Sequence, residues 1–312
     1  MFRTDRTRSH ALSGPQADLA FAPLAAPEIH RRVRLAHLSY QTRTLSRRYI
    51  GGPLGDQLFK VWLRGGLGAS LVEKFGLPRP NLIAYLGEAS LTLDVNPREL
   101  FQFAMHLPRH QGKRPSSLAF IWDGDWDLRR DDLRMGYWLN LVRDLDENRH
   151  HLERTAKFKE LFQKIKDGDP WHSHQQGVYL DTPEKIFSYL NVYVGFLDNM
   201  IEHGYDRQRP KDALGVVISR EGRILKINRG LHRLAMAQWI GLPTIPVQVR
   251  HIHRLWWQDV TRGANGEIAL ERMRDALPRL SPEQAHGPLS DAAPFLLPDE
   301  FWPPAKTATE NG

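Results

Sequence analysis

A stretch of roughly forty residues in the last third of the chain constrains its fold more tightly than anything else in the sequence. Leu214-Gly215-Val216-Val217-Ile218-Ser219 is a short apolar run of strand type, Arg220-Glu221-Gly222 supplies a turn, and Arg223-Ile224-Leu225-Lys226-Ile227-Asn228 follows as a second strand. The pair reads as a β-hairpin. Gly230 then punctuates the chain, Leu231 to Ile240 is helical in pattern, and Gly241-Leu242-Pro243 stops the helix. Ile245, Val247 and Val249 alternate with Gln248 and Arg250, which predicts a third strand. A strand-turn-strand-loop-helix-loop-strand unit of this size commits the segment to an α/β fold.

The junction between the second strand and the helix, Asn228-Arg229-Gly230-Leu231-His232-Arg233, carries the most chemistry. A helix start presents N–H groups that have no partner within the helix, and about half a positive charge. Gly230 adopts dihedrals closed to other residues and lets a ligand approach the backbone. Arg229, His232 and Arg233 add side-chain donors at the same place; a guanidinium grips phosphate bidentately, and an imidazole donates or accepts according to its protonation. Cations at a helix start oppose the dipole, so clustering them there asks for an anion, with phosphate the natural candidate. Two plainer readings stay open: His232 and Arg233 as exposed first-turn residues, and Arg233 paired with a carboxylate such as Glu221 or Asp206.

With those residues in view, the stretch from Val216 to Val249 resembles the ParB N-terminal/sulfiredoxin-like superfamily. Its members share a strand pair, a Gly-x-x-Arg turn opening a helix, and a Gly-x-x-x-Ile-Pro-Val-x-Val strand. Gly230-Leu231-His232-Arg233 matches the phosphate-binding turn, Leu234-Ala235-Met236-Ala237 the helix after it, and Gly241 to Val249 the closing segment. The resemblance covers about a quarter of the chain. ParB proteins carry a Gly-Glu-Arg-Arg form and are similar to CTP-dependent switches; sulfiredoxins carry Gly-Cys-His-Arg and use ATP; free-serine kinases of this fold carry Asp-Gly-His-His-Arg. The resemblance therefore implies ATP or CTP held by Arg229, Gly230, Leu231, His232 and Arg233. Leu231 occupies the sulfiredoxin cysteine position, which excludes sulfinic acid reduction in a chain with no Cys. Arg229 stands where the serine kinases carry Asp, and no recognisable helix-turn-helix follows.

A second candidate is Asp123-Gly124-Asp125-Trp126-Asp127, after the strand-like Ser117 to Trp122. Carboxylates at alternate positions suit Mg²⁺ or a general base, and Asp125 and Asp127 are the candidate metal ligands and catalytic acids, with His232 beside them in catalysis. A polar turn, with Asp127 capping the next helix, explains the same residues. Packing this segment against the Gly230 turn would join acid to phosphate, as phosphoryl transfer requires. His172 with His174, and His150 with His151, lack the spacing that places two imidazoles on one helical face, and read as solvated loops. Arg250-His251-Ile252-His253-Arg254 reads either as an extension of the basic rim or as a solvated exit loop.

Around these features the chain reads as a loosely ordered start (residues 1–28), an α-rich region (29–180), the ParB/sulfiredoxin-like domain (181–277) and a mostly irregular tail (278–312), strapped to the body by Phe295-Leu296-Leu297 and Phe301-Trp302. Helices are predicted over Ile29–Arg48, Pro53–Phe75 with a break at Gly65-Gly66, Asp131–Asp146, and Leu152 to about Gly168. A further one starts at Asp181, where Asp181 and Glu184 have capping-box spacing, and ends at Gly204. Ser90–Val95 reads as a strand, and most of the nine Trp residues as core.

No apolar run approaches the roughly 20 residues of a membrane helix, and no secretory signal is evident, so a cytoplasmic protein is expected. The 43 basic against 36 acidic residues leave a formal charge of +7, which suits anionic partners. The expected function is nucleotide binding with ATP or CTP and Mg²⁺, as a phosphotransferase or nucleotide hydrolase acting on a small molecule. The alternatives are a DNA-associated ParB-like protein, with nucleic acid the less favoured partner, and a catalytically silent binding module.

Overall fold

The computed structural model describes residues 18–46, 52–65, 67–104, 118–206, 214–290 and 301–306. Residues 1–17, Arg47, Arg48, Ser117 and the Phe295–Leu297 cluster lie outside the described residues. The chain folds into two compact units, each assembled from two separate stretches: Met1–Gly51 with Arg143–Asn199, and Gly52–Val142 with Met200–Gly312. Its helices are α1 (His30–Ser46), α2 (Gly52–Leu63), α3 (Ala69–Lys74), α4 (Arg79–Leu86), α5 (Tyr137–Glu147), α6 (Ala156–Lys166), α7 (Pro183–His203), α8 (Leu231–Ile240), α9 (Arg254–Thr261) and α10 (Gly266–Ala276). The strands are β1 (Thr92–Val95), β2 (Gln102–Ala104), β3 (Ile121–Trp122), β4 (Arg130–Asp132), β5 (Trp171–Ser173), β6 (Val178–Leu180), β7 (Leu214–Ile218), β8 (Ile224–Lys226) and β9 (Ile245–His253). The protein is mixed α/β.

The first unit is built mainly from helices and the β5-β6 hairpin. Ala26, Ile29 and Val33 pack together against Tyr179, and Phe21 meets Tyr189 and Tyr193 at ring separations of 5.5 and 5.8 Å. The face of α7 carrying Ile186, Leu190 and Leu197 is buried, as its four- and seven-residue spacing predicts. Its N-terminus differs from expectation. Thr182, not Asp181, is the cap: its hydroxyl accepts the Lys185 N–H at 3.3 Å, while Asp181 pairs with the Lys185 ammonium at 2.5 Å. His172 lies on β5, within hydrogen-bond distance of Arg32 at 2.6 Å.

The second unit holds a mixed sheet of seven strands in the order β1-β9-β7-β8-β2-β4, with β3 also on β9. β7 and β8 form the expected antiparallel hairpin, Val217 opposite Leu225, and β9 runs parallel to β7 on its other side. β9 is longer than its apolar alternation suggests. Its first residues pair with β1 and its last with β3, so His251 and His253 belong to a strand and are buried, where a basic rim or a solvated exit loop was expected. A bulge between Val216 and Val217 re-aims the middle of β9. The strands come from both sides of residue 181, because β1 to β4 complete the sheet that β7 to β9 begin. Phe301-Trp302 does strap onto this unit: Arg98 lies over the Trp302 ring at 5.4 Å and donates to the Pro303 carbonyl at 2.6 Å, and the Lys306 N–H reaches the Ile240 carbonyl at 2.7 Å.

The helix predicted from Asp131 starts only at Tyr137. Arg130–Asp132 pairs with β2 instead, and the Asp132 carboxylate accepts the Arg134 N–H at 2.9 Å, turning the chain through a short 3-10 segment first. Five of the tryptophans, Trp62, Trp122, Trp126, Trp256 and Trp257, are buried. No helix among the described residues is long and apolar enough to cross a membrane.

Candidate functional site

Gly230 is the hinge on which the strand-to-helix junction depends. Its φ of +74° lies in the left-handed region, and a Cβ there would stand 2.7 Å from Leu214 Cδ2. Gly215 on β7 matters in a second way, since a Cβ on it would meet Ile227 and Arg229 side-chain atoms at 3.2 Å. Without side chains at these two positions the turn folds flat over the end of β7. The Gly215 N–H then bonds the Arg229 carbonyl at 3.4 Å, and the Ile227 N–H bonds the Gly215 carbonyl at 3.3 Å. No side chain caps α8, and its ladder opens with Leu234 N–H on the Gly230 carbonyl at 3.1 Å. The N–H groups ahead of that bond therefore aim out along the helix axis.

Positive charge gathers on this corner. Arg229 is exposed on the turn, and His232 and Arg233 are half-buried in the first helical turn, His232 resting against Trp138 with ring centroids 4.2 Å apart. Arg250 reaches the same region from β9, and Arg79 from the start of α4. Burial, then the neighbouring Arg229 and Arg79 charges, push the Arg250 guanidinium down to about 10, with Glu88 acting the other way. Arg250 Nε is buried with no hydrogen-bond partner among the described residues. Beneath the turn, Lys226 is fully buried, and its ammonium donates to the carbonyls of Gly215 (3.2 Å), Ile227 and Arg229. Burial, reinforced by Arg229, lowers it to about 7.

The acidic candidates sit elsewhere. Asp127 is fully buried and accepts the Arg220 N–H at 2.8 Å and the Arg220 guanidinium at 2.8 to 3.1 Å; Asp125 takes the same guanidinium at 2.8 Å. Burial raises the Asp127 carboxyl, but the bonds from Arg220 outweigh it and hold the group below the usual carboxylate range. His253 completes this latch. Its Nδ1 accepts the Leu255 N–H at 3.1 Å, which leaves Nε2 to donate to the Gly124 carbonyl at 2.9 Å. Asp123 holds Arg254 at 2.6 Å. Neither Asp127 nor its neighbours cap a following helix; the chain continues into β4.

The two candidate clusters do not meet. Gly230 lies against Leu214, where β7 begins, and Arg220 follows Ser219, just past its end. At about 3.3 Å per residue, the six steps from Leu214 to Arg220 keep them roughly 20 Å apart. Asp125 and Asp127 share the Arg220 guanidinium, and among the described residues no three His, Asp or Glu side chains gather to hold an ion. Glu221, offered above as a partner for Arg233, pairs with Arg130 at 3.4 Å at the hairpin tip.

The sequence singles out Arg229, Gly230, Leu231, His232 and Arg233 as candidates, and the structure places Lys226 and Arg79 near them. Lys226 sits inside Ile224-Leu225-Lys226-Ile227, and a cation flanked on both sides by apolar residues in a central strand was the available signal. Arg79 is distant in sequence and carried none. Neither a protein-family model, nor a curated protein, nor a solved structure matches this chain.

Proposed function

We propose that the protein binds a phosphate-bearing ligand, a nucleotide such as ATP or CTP, at the Gly230 turn, in a domain related to the ParB/sulfiredoxin-like superfamily. The observation that carries this reading is the convergence of Arg79, Arg229 and Arg250 beside the open start of α8, with a buried lysine beneath and Glu88 the one carboxylate bearing on Arg250 among the described residues. Like charges crowded in partly buried surroundings repel, and an anion that enters among them relieves the repulsion. The backbone amides of Leu231 to Arg233 would receive the phosphate, Arg229 and Arg233 would neutralise it from the rim, and Arg250 from below.

The chemistry supported is binding first. A phosphotransferase or hydrolase reading must take its acid–base group from the turn itself, where His232 is the one expected candidate present, because Asp125 and Asp127 are committed to Arg220 at the other end of β7. Mg²⁺ would accordingly arrive with the nucleotide, its ligands the phosphates and water.

Thermal shift with ATP, CTP, GTP and ADP, with and without Mg²⁺, tests the proposal. A ligand at a hundredfold excess over its Kd adds about 2.7 kcal/mol to the folded state. The wild type is expected to gain several degrees with at least one nucleotide, and Arg233→Ala and the double variant Arg229→Ala/Arg250→Gln to lose the gain while keeping a native circular dichroism spectrum. An equal shift in all three proteins would overturn the assigned turn. Affinity for duplex DNA that falls steeply with salt, with no nucleotide response, would favour the DNA-associated alternative.

A further inference from the structure

Lys226 is the one residue at this corner whose position the anion-binding reading does not by itself explain. It is fully buried in the middle of a sheet, and among the described residues its ammonium is bonded only to the carbonyls of Gly215, Ile227 and Arg229. β7 presents Val216 opposite it, β2 presents Phe103 and carries no charged residue, and α8 brings His232 and Arg233 at its start. The turn brings Arg229, which bears on Lys226 as a like charge. No carboxylate pairs with it among the described residues. A buried cation without a counter-ion is costly, and it persists where something else balances it or where its hydrogen bonds fix a geometry of use.

Both conditions meet here. Resting on the phosphate-binding reading above, we infer that Lys226 is the positioning residue of the turn: its ammonium pins the Ile227 and Arg229 carbonyls inward so that the amides after Gly230 face outward, and the bound anion serves as its missing counter-ion. The geometry makes the link direct. Arg229's carbonyl, gripped by Lys226, belongs to the same peptide unit as the Gly230 N–H, so fixing one end of that unit fixes the other. Three carbonyls need three donor hydrogens, which only the charged ammonium provides; the neutral amine has two. Losing the proton therefore removes one of the three ammonium bonds and loosens the turn, and an anion above it favours keeping the proton. Binding and protonation are coupled, and linkage requires that affinity fall as Lys226 is neutralised.

Two measurements separate this inference from the reading beneath it. The first needs no ligand. Hydrogen exchange of the wild-type protein, corrected for intrinsic rates, is followed from pH 5.5 to 8.5 on peptides covering residues 227–234. The inference predicts that their protection drops severalfold over this range while that of α10 and β9 does not. It also predicts that Lys226→Met shows the loosened exchange at every pH. Unchanged exchange at the turn overturns the positioning role, whatever binds. The second is calorimetric titration of ATP between pH 7.5 and 9.5, above the second phosphate ionisation near 6. Wild-type affinity is expected to weaken about tenfold over this range, one pH unit of coupling being about 1.4 kcal/mol, whereas Lys226→Met binds more weakly at pH 7.5 and stays flat. A slope that survives in Lys226→Met overturns the counter-ion role. ATP that binds nowhere in the range overturns the phosphate site and the counter-ion role together, and leaves positioning to be decided by the exchange data. Should Lys226→Met fail to fold, Lys226→Arg, which keeps the charge but replaces the compact ammonium by a planar fork, is expected to bind without the pH slope.

Discussion

Asp127 shows why identity in the sequence is a poor guide to the work a residue does. Alternating acids after a strand look the same whether they hold a metal, cap a helix or clamp an arginine; only the fold, by bringing Arg220 around the β7-β8 turn, decides for the clamp. Removing one member of such a pair leaves the other charge unbalanced, so Asp127→Ala should cost about 3 kcal/mol in urea denaturation, at the low end for buried pairs because Arg220 keeps 23% exposure. The carboxyl is held below its ordinary value near 3.9, so its contribution is complete above that pH and is lost as pH falls through the lower folded-state value. The stability gap between wild type and Asp127→Asn measured at pH 7 should therefore begin to narrow below about pH 4 and close only below the lower folded-state value. Gly230 was legible from sequence for the right reason. Gly230→Ala should destabilise by about 1–3 kcal/mol, since it places a side chain at φ +74° and against Leu214. Lys226 was legible only in part: its apolar neighbours signalled burial, but nothing in a single sequence shows a ring of carbonyls waiting for it.

The elements themselves were readable where local signals and tertiary packing agreed. The β7-β8 hairpin, α8 and the start of β9 carry strong turn, glycine and alternation signals over a short span, and they stand where the sequence puts them. Agreement ends at the bulge opposite Val216 and Val217. Beyond it β9 gains β3 as a neighbour, so residues that read as a polar exit are buried against Ala119 and Trp122: His251 bonds the Ala119 carbonyl at 2.7 Å and stacks on Trp122 at 3.6 Å. Arg254 marks the same lesson on a helix end. Read as a possible rim of the basic site, it instead donates to the Glu73 and Lys74 carbonyls at the end of α3, at 2.9 to 3.2 Å, and to Asp123. A cation at a helix C-terminus satisfies its last carbonyls and complements its dipole. Arg254→Ala should fray α3, raising hydrogen exchange there and costing about 1–2 kcal/mol, with nucleotide affinity unchanged.

At the scale of the whole molecule, the mixed α/β class was legible but the way the chain divides was not, because each compact unit takes one stretch from either side of the other's sequence. The strands that complete the sheet, β1 to β4, come from the region read as α-rich, being short and half-polar and identifiable as strands only once β8 and β9 offer them partners. The same interleaving sets the candidate site, for it brings Arg79 from α4 to a turn some 150 residues later. It also separates the acids at one end of β7 from the cations at the other. The most direct test is a hydrogen-exchange footprint of the intact protein with and without saturating ATP. The account predicts new protection in peptides covering residues 227–234 and Arg250, with none over Asp123–Asp127. Protection centred on Asp123–Asp127, or nucleotide bound with the Gly230 turn unprotected, would contradict it.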